Sequence, residues 1–401
     1  MRSVRLLTAI IAIAVVGCSP VVGAGDGPPL AEPGASRTPG LTTAPTPPAS
    51  SPPESAPESA PPGSVTPAPT ASASTPQQSE TGEAVRLAFA GDVHFERHLA
   101  RRATDATGLA ELAPLFSDAD FAMLNLETAI TTVEEPADKQ YTFRADPSAL
   151  DAIVGAGVDA VSQANNHAVD MGPRWLADTL DTFQHAPLPV IGIGEDARRA
   201  YAAHGFEAKG ARFAVLAATM YRDETVRDHT AGADKPGVAS AVKPKRLLAA
   251  VRQAVASHDV VVVYLHWGTE GTTCPDARQE SMADDLARVG ADVIVGTHAH
   301  RVQGSGWKRD AYVAYGLGNF VWYHNRALNS DTGVLRLTVD ASRAKRPRGE
   351  RGPVVVAQQW EPLLIASDGL PRAASEEKTG ALMARRDQAN ECSGLAAQPT
   401  R

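Results

Sequence analysis

The chain has 401 residues, 43% hydrophobic and 21% charged, with a formal net charge of −8. That balance gives no basic surface for nucleic acid, so no nucleic-acid partner is expected. Three cysteines without a thiolate cluster argue against a structural zinc site.

The N-terminus reads MRSVRLLTAIIAIAVVGCSP. Arg2 and Arg5 precede an apolar run, Leu6 to Gly17, too short to span a bilayer with ease. The pattern predicts a secretory signal peptide over residues 1–18. The run ends in VVGC, which resembles a bacterial lipobox. That resemblance implies cleavage before Cys18, lipid on its thiol, and an extracytoplasmic protein anchored to the cell membrane without a span. An ordinary signal peptide with an incidental cysteine is the alternative.

Half of the 30 prolines lie between Pro28 and Pro76, mixed with Ala, Ser and Thr. Proline donates to neither helix nor ladder, and this composition buries little apolar area. Residues 19–82 are expected to form a disordered, partly extended tether. Residues 83–365 read as globular, and 366–401 as a polar, loosely held tail. Cys274 and Cys392 either bridge, pinning the tail to the domain, or remain two free thiols.

Apolar runs predict strands at 85–90, 121–127, 158–164, 188–193, 212–220, 259–268, 291–300, 310–322 and 333–340. Helical periodicity falls at 147–157, 172–186, 244–258 and 275–290. Alternating strands and helices predict an α/β architecture. The VVVV run predicts a strand buried on both faces. The late strands, lacking helices between them, suggest a second, partly antiparallel sheet.

Ligands in open α/β sheets bind beyond the carboxyl ends of the strands. Polar residues at those ends therefore form a set. Asp92 and His94 follow the first run, and Glu127 the second. Asn165, Asn166, His167 and Asp170 follow the third. His266 ends DVVVVYLH, and His298 and His300 end ADVIVGTHAH. A lone histidine after a strand is usually a loop residue. Five such ends carrying Asp, His, Glu and Asn are harder to assign to chance. Imidazole, carboxylate and amide oxygen together suit borderline first-row ions such as Mn, Fe or Zn. Six or seven donors are too many for one tetrahedral ion and fit two bridged ions.

The segments LAFAGDVHF, LNLET, YTFRADP, DAVSQANNHAVDMG, LHWGTE, GTHAH and YGLGNFVW stand in this order between about residues 85 and 322. On them the sequence resembles the CapA family, the poly-γ-glutamate capsule synthesis proteins, within the calcineurin-like metallophosphoesterase superfamily. The resemblance implies a four-layer αββα sandwich with two divalent ions at the strand C-terminal ends. It places Asp92, His94 and His300 on one ion and Asn166, His266 and His298 on the other. It makes Glu127 the bridge, where the wider superfamily uses Asp, so phosphatase activity does not follow automatically. His167 becomes the acid near the leaving group, with Asp170 placed to orient it.

Arg144 either binds an anionic group bidentately or forms a surface ion pair. Asn319 either lies near the site, touching substrate, or supports a turn. Trp267 and Trp322 read as packing residues. The resemblance implies a tethered metallohydrolase of capsule assembly, acting on a phosphoester or on an anionic polymer such as poly-γ-glutamate. A non-catalytic polymer-binding accessory protein, working with a polymer synthase complex, is the alternative.

Overall fold

The computed structural model describes residues 83–399. The expected signal peptide, Cys18 and the 19–82 tether lie outside the described residues. No helix among the described residues is long and apolar enough to cross a membrane.

Two sheets dominate. The first has eight strands. Ala84–Val93 lies at its centre, parallel to Phe121–Leu126 on one side and antiparallel to Asp331–Asp340 on the other. Ala160–Ser162 and Val190–Ile191 continue the parallel half. Val355–Ile365 and Pro371–Ala373 continue the antiparallel half. Asn319–Val321 pairs with the end of the central strand. The second sheet has six strands, in the order Ser305–Lys308, Ala311–Ala314, Val293–His298, Val260–Trp267, Ala211–Thr219, His204–Ala208.

Side-chain alternation stacks these sheets. A strand points successive residues to opposite faces. Val85, Leu87 and Phe89 enter the same cluster as Val260, Val262 and Tyr264, between the sheets. Ala88 and Ala90 face the other way, against the helical segments Arg97–Ala103, Ala110–Leu115 and Ala149–Gly155. Val261, Val263 and Leu265 face helices Lys245–Ser257 and Ala277–Val289. The result is helix, sheet, sheet, helix: the expected four-layer sandwich. Burying each Val or Leu fully is worth about 1.5–3 kcal/mol, so the valine run is a main adhesive of two layers at once.

Local chemistry sets the ends. Asp276 caps the Ala277–Val289 helix, and Gln279 returns a bond to the Asp276 N–H at 2.9 Å. Gly290, at φ 101°, closes that helix in the left-handed region.

The structure corrects three expectations. The second sheet is partly antiparallel, through the late pair Ser305–Lys308 and Ala311–Ala314, but the predicted 333–340 strand lies in the first sheet as Asp331–Asp340, followed there by Val355–Ile365 and Pro371–Ala373. The 310–322 run splits, Ala311–Ala314 joining the second sheet and Asn319–Val321 the first. Gly318, at φ 72°, makes the turn between them. The segment after residue 365 is no loose tail. It adds strand Pro371–Ala373 and helix Glu376–Glu391, and a Cys274–Cys392 disulfide fastens it.

Candidate metal centre

The carboxyl ends of strands from both sheets meet at one place. Register puts Asp92 beside Asn125 on one side and Asn319 on the other. Gly91 allows this, because a Cβ there would sit 1.9 Å from the Gly318 carbonyl oxygen. In the second sheet His266 pairs with Thr297, and Trp267 with His298. Gly296 leaves room for Trp267, whose indole N–H donates to the Tyr315 carbonyl at 2.8 Å. Trp267 is thus a packing residue.

The GTHAH segment is strained at both histidines. His298 has φ 86° and His300 φ 51°, a region that costs a non-glycine residue energy. The backbone tolerates this because its surroundings fix it. The His298 N–H donates to Asp92 Oδ2 at 3.1 Å, and His300 Nδ1 lies 2.7 Å from Asn319 Oδ1.

The side chains converge. His266 Nε2 lies 2.7 Å from Asn166 Oδ1, 3.0 Å from His298 Nδ1 and 3.4 Å from Glu127 Oε1. His300 Nδ1 is 3.4 Å from Asp92 Oδ2. Donor atoms of Glu127, His266 and His298 lie within 4.8 Å of one another, as do those of Asp92, Glu127 and His300. Glu127 is common to both groups, between the two histidine sets.

His94 sits differently. It is fully buried among Phe143, Trp322 and Tyr323, with the Trp322 ring centroid at 4.1 Å, and belongs to neither donor group. Its Nδ1 accepts the Glu96 N–H at 3.0 Å, so a neutral ring carries its proton on Nε2. Ligation through Nε2 requires the other tautomer or a turned ring.

Electrostatics favour the neutral form of two of the imidazoles. Burial, then neighbouring imidazoles, push His94 and His298 well below the ordinary histidine value. Burial would also lower His300, but Glu127 and Asp92 outweigh it and raise it to about 9. Burial would raise Asp92; the His300 hydrogen bond and the charges of His266 and His300 hold it below the ordinary value instead.

The cluster fits a cation. Both Glu127 oxygens are buried without a hydrogen-bond partner, as is His298 Nε2. An unpaired buried carboxylate is costly. A multivalent cation among these donors would remove that cost, and the clustered His, Asp and Glu form a candidate metal site.

His167 lies at the edge. Its Nε2 is 3.9 Å from Glu127 Oε1, and its ring stacks on Phe143 at 4.0 Å. Asp170 Oδ2 holds its Nδ1 at 2.5 Å and also accepts the Phe143 N–H at 2.8 Å. Asp170 is placed to orient His167.

For Arg144 and Asn319 the sequence left two alternatives each. Arg144 gives its guanidinium to Thr131 O, Asp146 and Glu134, at 2.8 to 3.0 Å, which is the ion-pair arrangement. Asn319 is fully buried, with Oδ1 on His300 and Nδ2 donating to Asn329 O at 3.1 Å. It braces a histidine from behind.

Sequence reasoning passed over Asn125, Lys139 and Glu270. Asn125 donates to Asp92 Oδ1 at 2.8 Å and contacts His266 Nδ1 at 3.1 Å. It stands two before Glu127, so strand period puts both on one face, a usable signal. Glu270, in the HWGTE segment, brings Oε1 to 4.0 Å from His298 Nε2. Lys139 bonds Asn166 O at 2.6 Å and Asp170 Oδ1 at 2.7 Å, from a loop without periodicity to betray it.

Several known proteins are similar to this chain. The sequence profile of the family described as bacterial capsule synthesis protein PGA_cap matches residues 86–324, more than half of the chain. The capsule biosynthesis protein CapA of Bacillus anthracis is 29% identical over 273 residues, covering 65% of this chain and 65% of that protein. The PGA biosynthesis protein CapA of Bacillus subtilis is 27% identical over 272 residues, covering 65% and 70%. Among solved structures, a phosphatase from Mycoplasma pneumoniae superposes with a TM-score of 0.44 at 14% identity, covering 71% of this chain and 94% of that one. A putative 5′-nucleotidase from Staphylococcus aureus gives 0.42 at 15% identity, covering 76% and 58%. The chain belongs to the CapA-type family of bacterial capsule synthesis proteins.

Proposed function

We propose that the chain is a metal-dependent hydrolase of capsule or poly-γ-glutamate assembly, held outside the cell membrane by lipid on Cys18 and a 19–82 tether. One observation carries the metal reading: Glu127 is a buried carboxylate with neither oxygen hydrogen-bonded, amid histidines from two sheets. Asp92, His94 and His300 would hold one divalent ion, and Asn166, His266 and His298 the other, with Glu127 between them. Mn, Fe or Zn suits this donor set. Such ions supply Lewis-acid charge and a lowered water pKa.

The protein supplies the remainder. Asp170 fixes His167 through Nδ1, leaving Nε2 to give a proton to a leaving oxygen. Phe143 stacks on that ring. Asn125 and Asn319 hold Asp92 and His300 in place. The relatives are named for capsule and PGA biosynthesis, which supports an anionic capsule polymer, or a phosphoester in its assembly, as substrate.

The test is turnover by the full-length protein, loaded with Mn, of a chromogenic phosphodiester and of poly-γ-glutamate followed by chain length. Turnover of either, lost in His167→Asn with metal retained, supports the hydrolase. Bound metal and polymer binding without turnover of either overturns it in favour of a non-catalytic accessory protein, acting beside a synthase complex.

A further inference from the structure

A second hollow lies beside the metal centre, with a volume of about 1040 Å³. Arg222, Arg227, Lys243, Lys245 and Arg246 line it, against only two carboxylates, Asp223 and Glu224. In a chain of net charge −8 this is a local reversal of sign. Arg222, Lys243 and Lys245 make no ion pair or side-chain hydrogen bond among the described residues, so their charges are free for a ligand. Lys245 and Arg246 open the Lys245–Ser257 helix, whose first turn carries no acid. Basic residues there oppose the helix dipole and are unfavourable for the helix itself. Their placement thus works against local stability.

The hollow is joined to the centre in two ways. Arg222 also lines a smaller adjoining cavity with Tyr221 and Glu270. The Tyr221 ring lies 4.0 Å from that of His298. The Glu224–His229 helix, in the wall of the hollow, is bolted to the centre: Thr225 Oγ1 donates to Asn166 O at 2.7 Å. Asp223, which caps this helix, lies 3.6 Å from Lys139 Nζ, and Lys139 in turn holds Asp170.

We propose that this hollow seats a segment of an anionic polymer, with the polymer continuing over Arg222 to the metal centre. The proposal rests on the reading of the chain as a capsule-polymer protein. Drug-sized pockets run from about 300 to 1,000 Å³, so this one has room for several polymer units. Lys243 and Lys245 are compact, mobile charges, suited to a flexible chain of separate carboxylates or phosphates. The shared chemistry is a repeating anion, and two sources supply it: polyglutamate or a polyphosphoester.

The experiment measures binding of short poly-γ-glutamate and, separately, short polyphosphate to the full-length protein at low and moderate salt. The comparison variants are Lys243→Ser/Lys245→Ser and Glu224→Lys. The expected result is that the parent binds at least one of the polymers and that added salt weakens it. The double serine variant should lose affinity on the order of tenfold, and Glu224→Lys should gain. Preference for one polymer assigns the source. Equal binding by parent and double serine variant overturns the proposal, as does a parent that binds neither polymer. Metal content, measured on the same samples, separates this from the metal reading. A protein without metal that still loses polymer in the serine variant keeps the hollow and sinks the centre.

Discussion

The Asp92 carboxylate of the first sheet accepts the backbone N–H of His298, in the second, at 3.1 Å. This bond ties the two sheets together at the candidate metal centre. The same carboxylate accepts Asn125 Nδ2 at 2.8 Å. Asp92→Ala therefore strands two buried donors, each costing about 1–3 kcal/mol. Denaturant unfolding in chelator should show a loss of at least about 2 kcal/mol, before any contribution from metal. Unchanged stability would mean that water reaches both donors.

Lys139 has a side chain 8% exposed and holds Asp170, Asn166 O and Thr225 together. Lys139→Met leaves Asp170 with a buried charge and one partner fewer. A broken buried pair costs about 3–5 kcal/mol. Turnover should fall because His167 loses its fixed orientation, while Asp92, Glu127 and His266 still retain metal. Metal analysis and kinetics on one sample check both halves.

The Cys274–Cys392 disulfide closes a loop over a sequence separation of 118 residues. It joins the loop before the Ala277–Val289 helix to the end of Glu376–Glu391. Cys392→Ser should cost about 2–5 kcal/mol, and proteolysis should then cut first in the C-terminal helix. Cutting elsewhere, at the parent's rate, would show that packing alone holds that helix.

Stability should also fall on mild acidification. His204, half-buried on the edge strand His204–Ala208, has its pKa lowered by burial from the ordinary 6.5. The unfolded chain then binds the proton more readily than the folded one. Its contribution is present above pH 6.5 and is lost as the pH falls through the depressed folded value. His204→Gln should lose less stability than the parent between neutral pH and pH 5, by urea unfolding at each pH. An identical pH slope in both would exclude His204 as the source.

Much of this fold is legible in the sequence, for identifiable reasons. The VVVV run announces a doubly buried strand. The polar residues at the strand ends point to the cluster because each follows an apolar run. Sheet membership is not local, however. Nothing within residues 310–322 says that Ala311–Ala314 and Asn319–Val321 pair in different sheets. Val355–Ile365 escapes notice because Gln358 and Gln359 interrupt its apolar pattern and face outward. Lys139 acts from a loop, where no periodicity marks it. The strained backbone of His298 and His300 is equally invisible beforehand, since its cause lies in Asp92 and Asn319, far along the chain.

Glu127 is buried with neither oxygen hydrogen-bonded, the feature on which the proposed metal site rests. Glu127→Gln keeps the size and removes the charge. Elemental analysis of full-length parent and variant, purified side by side with Mn, tests this directly. The parent should carry two ions per chain and the variant should lose one or both, with the fold retained by circular dichroism. Full metal content in Glu127→Gln, or a parent that takes up no metal, would contradict it.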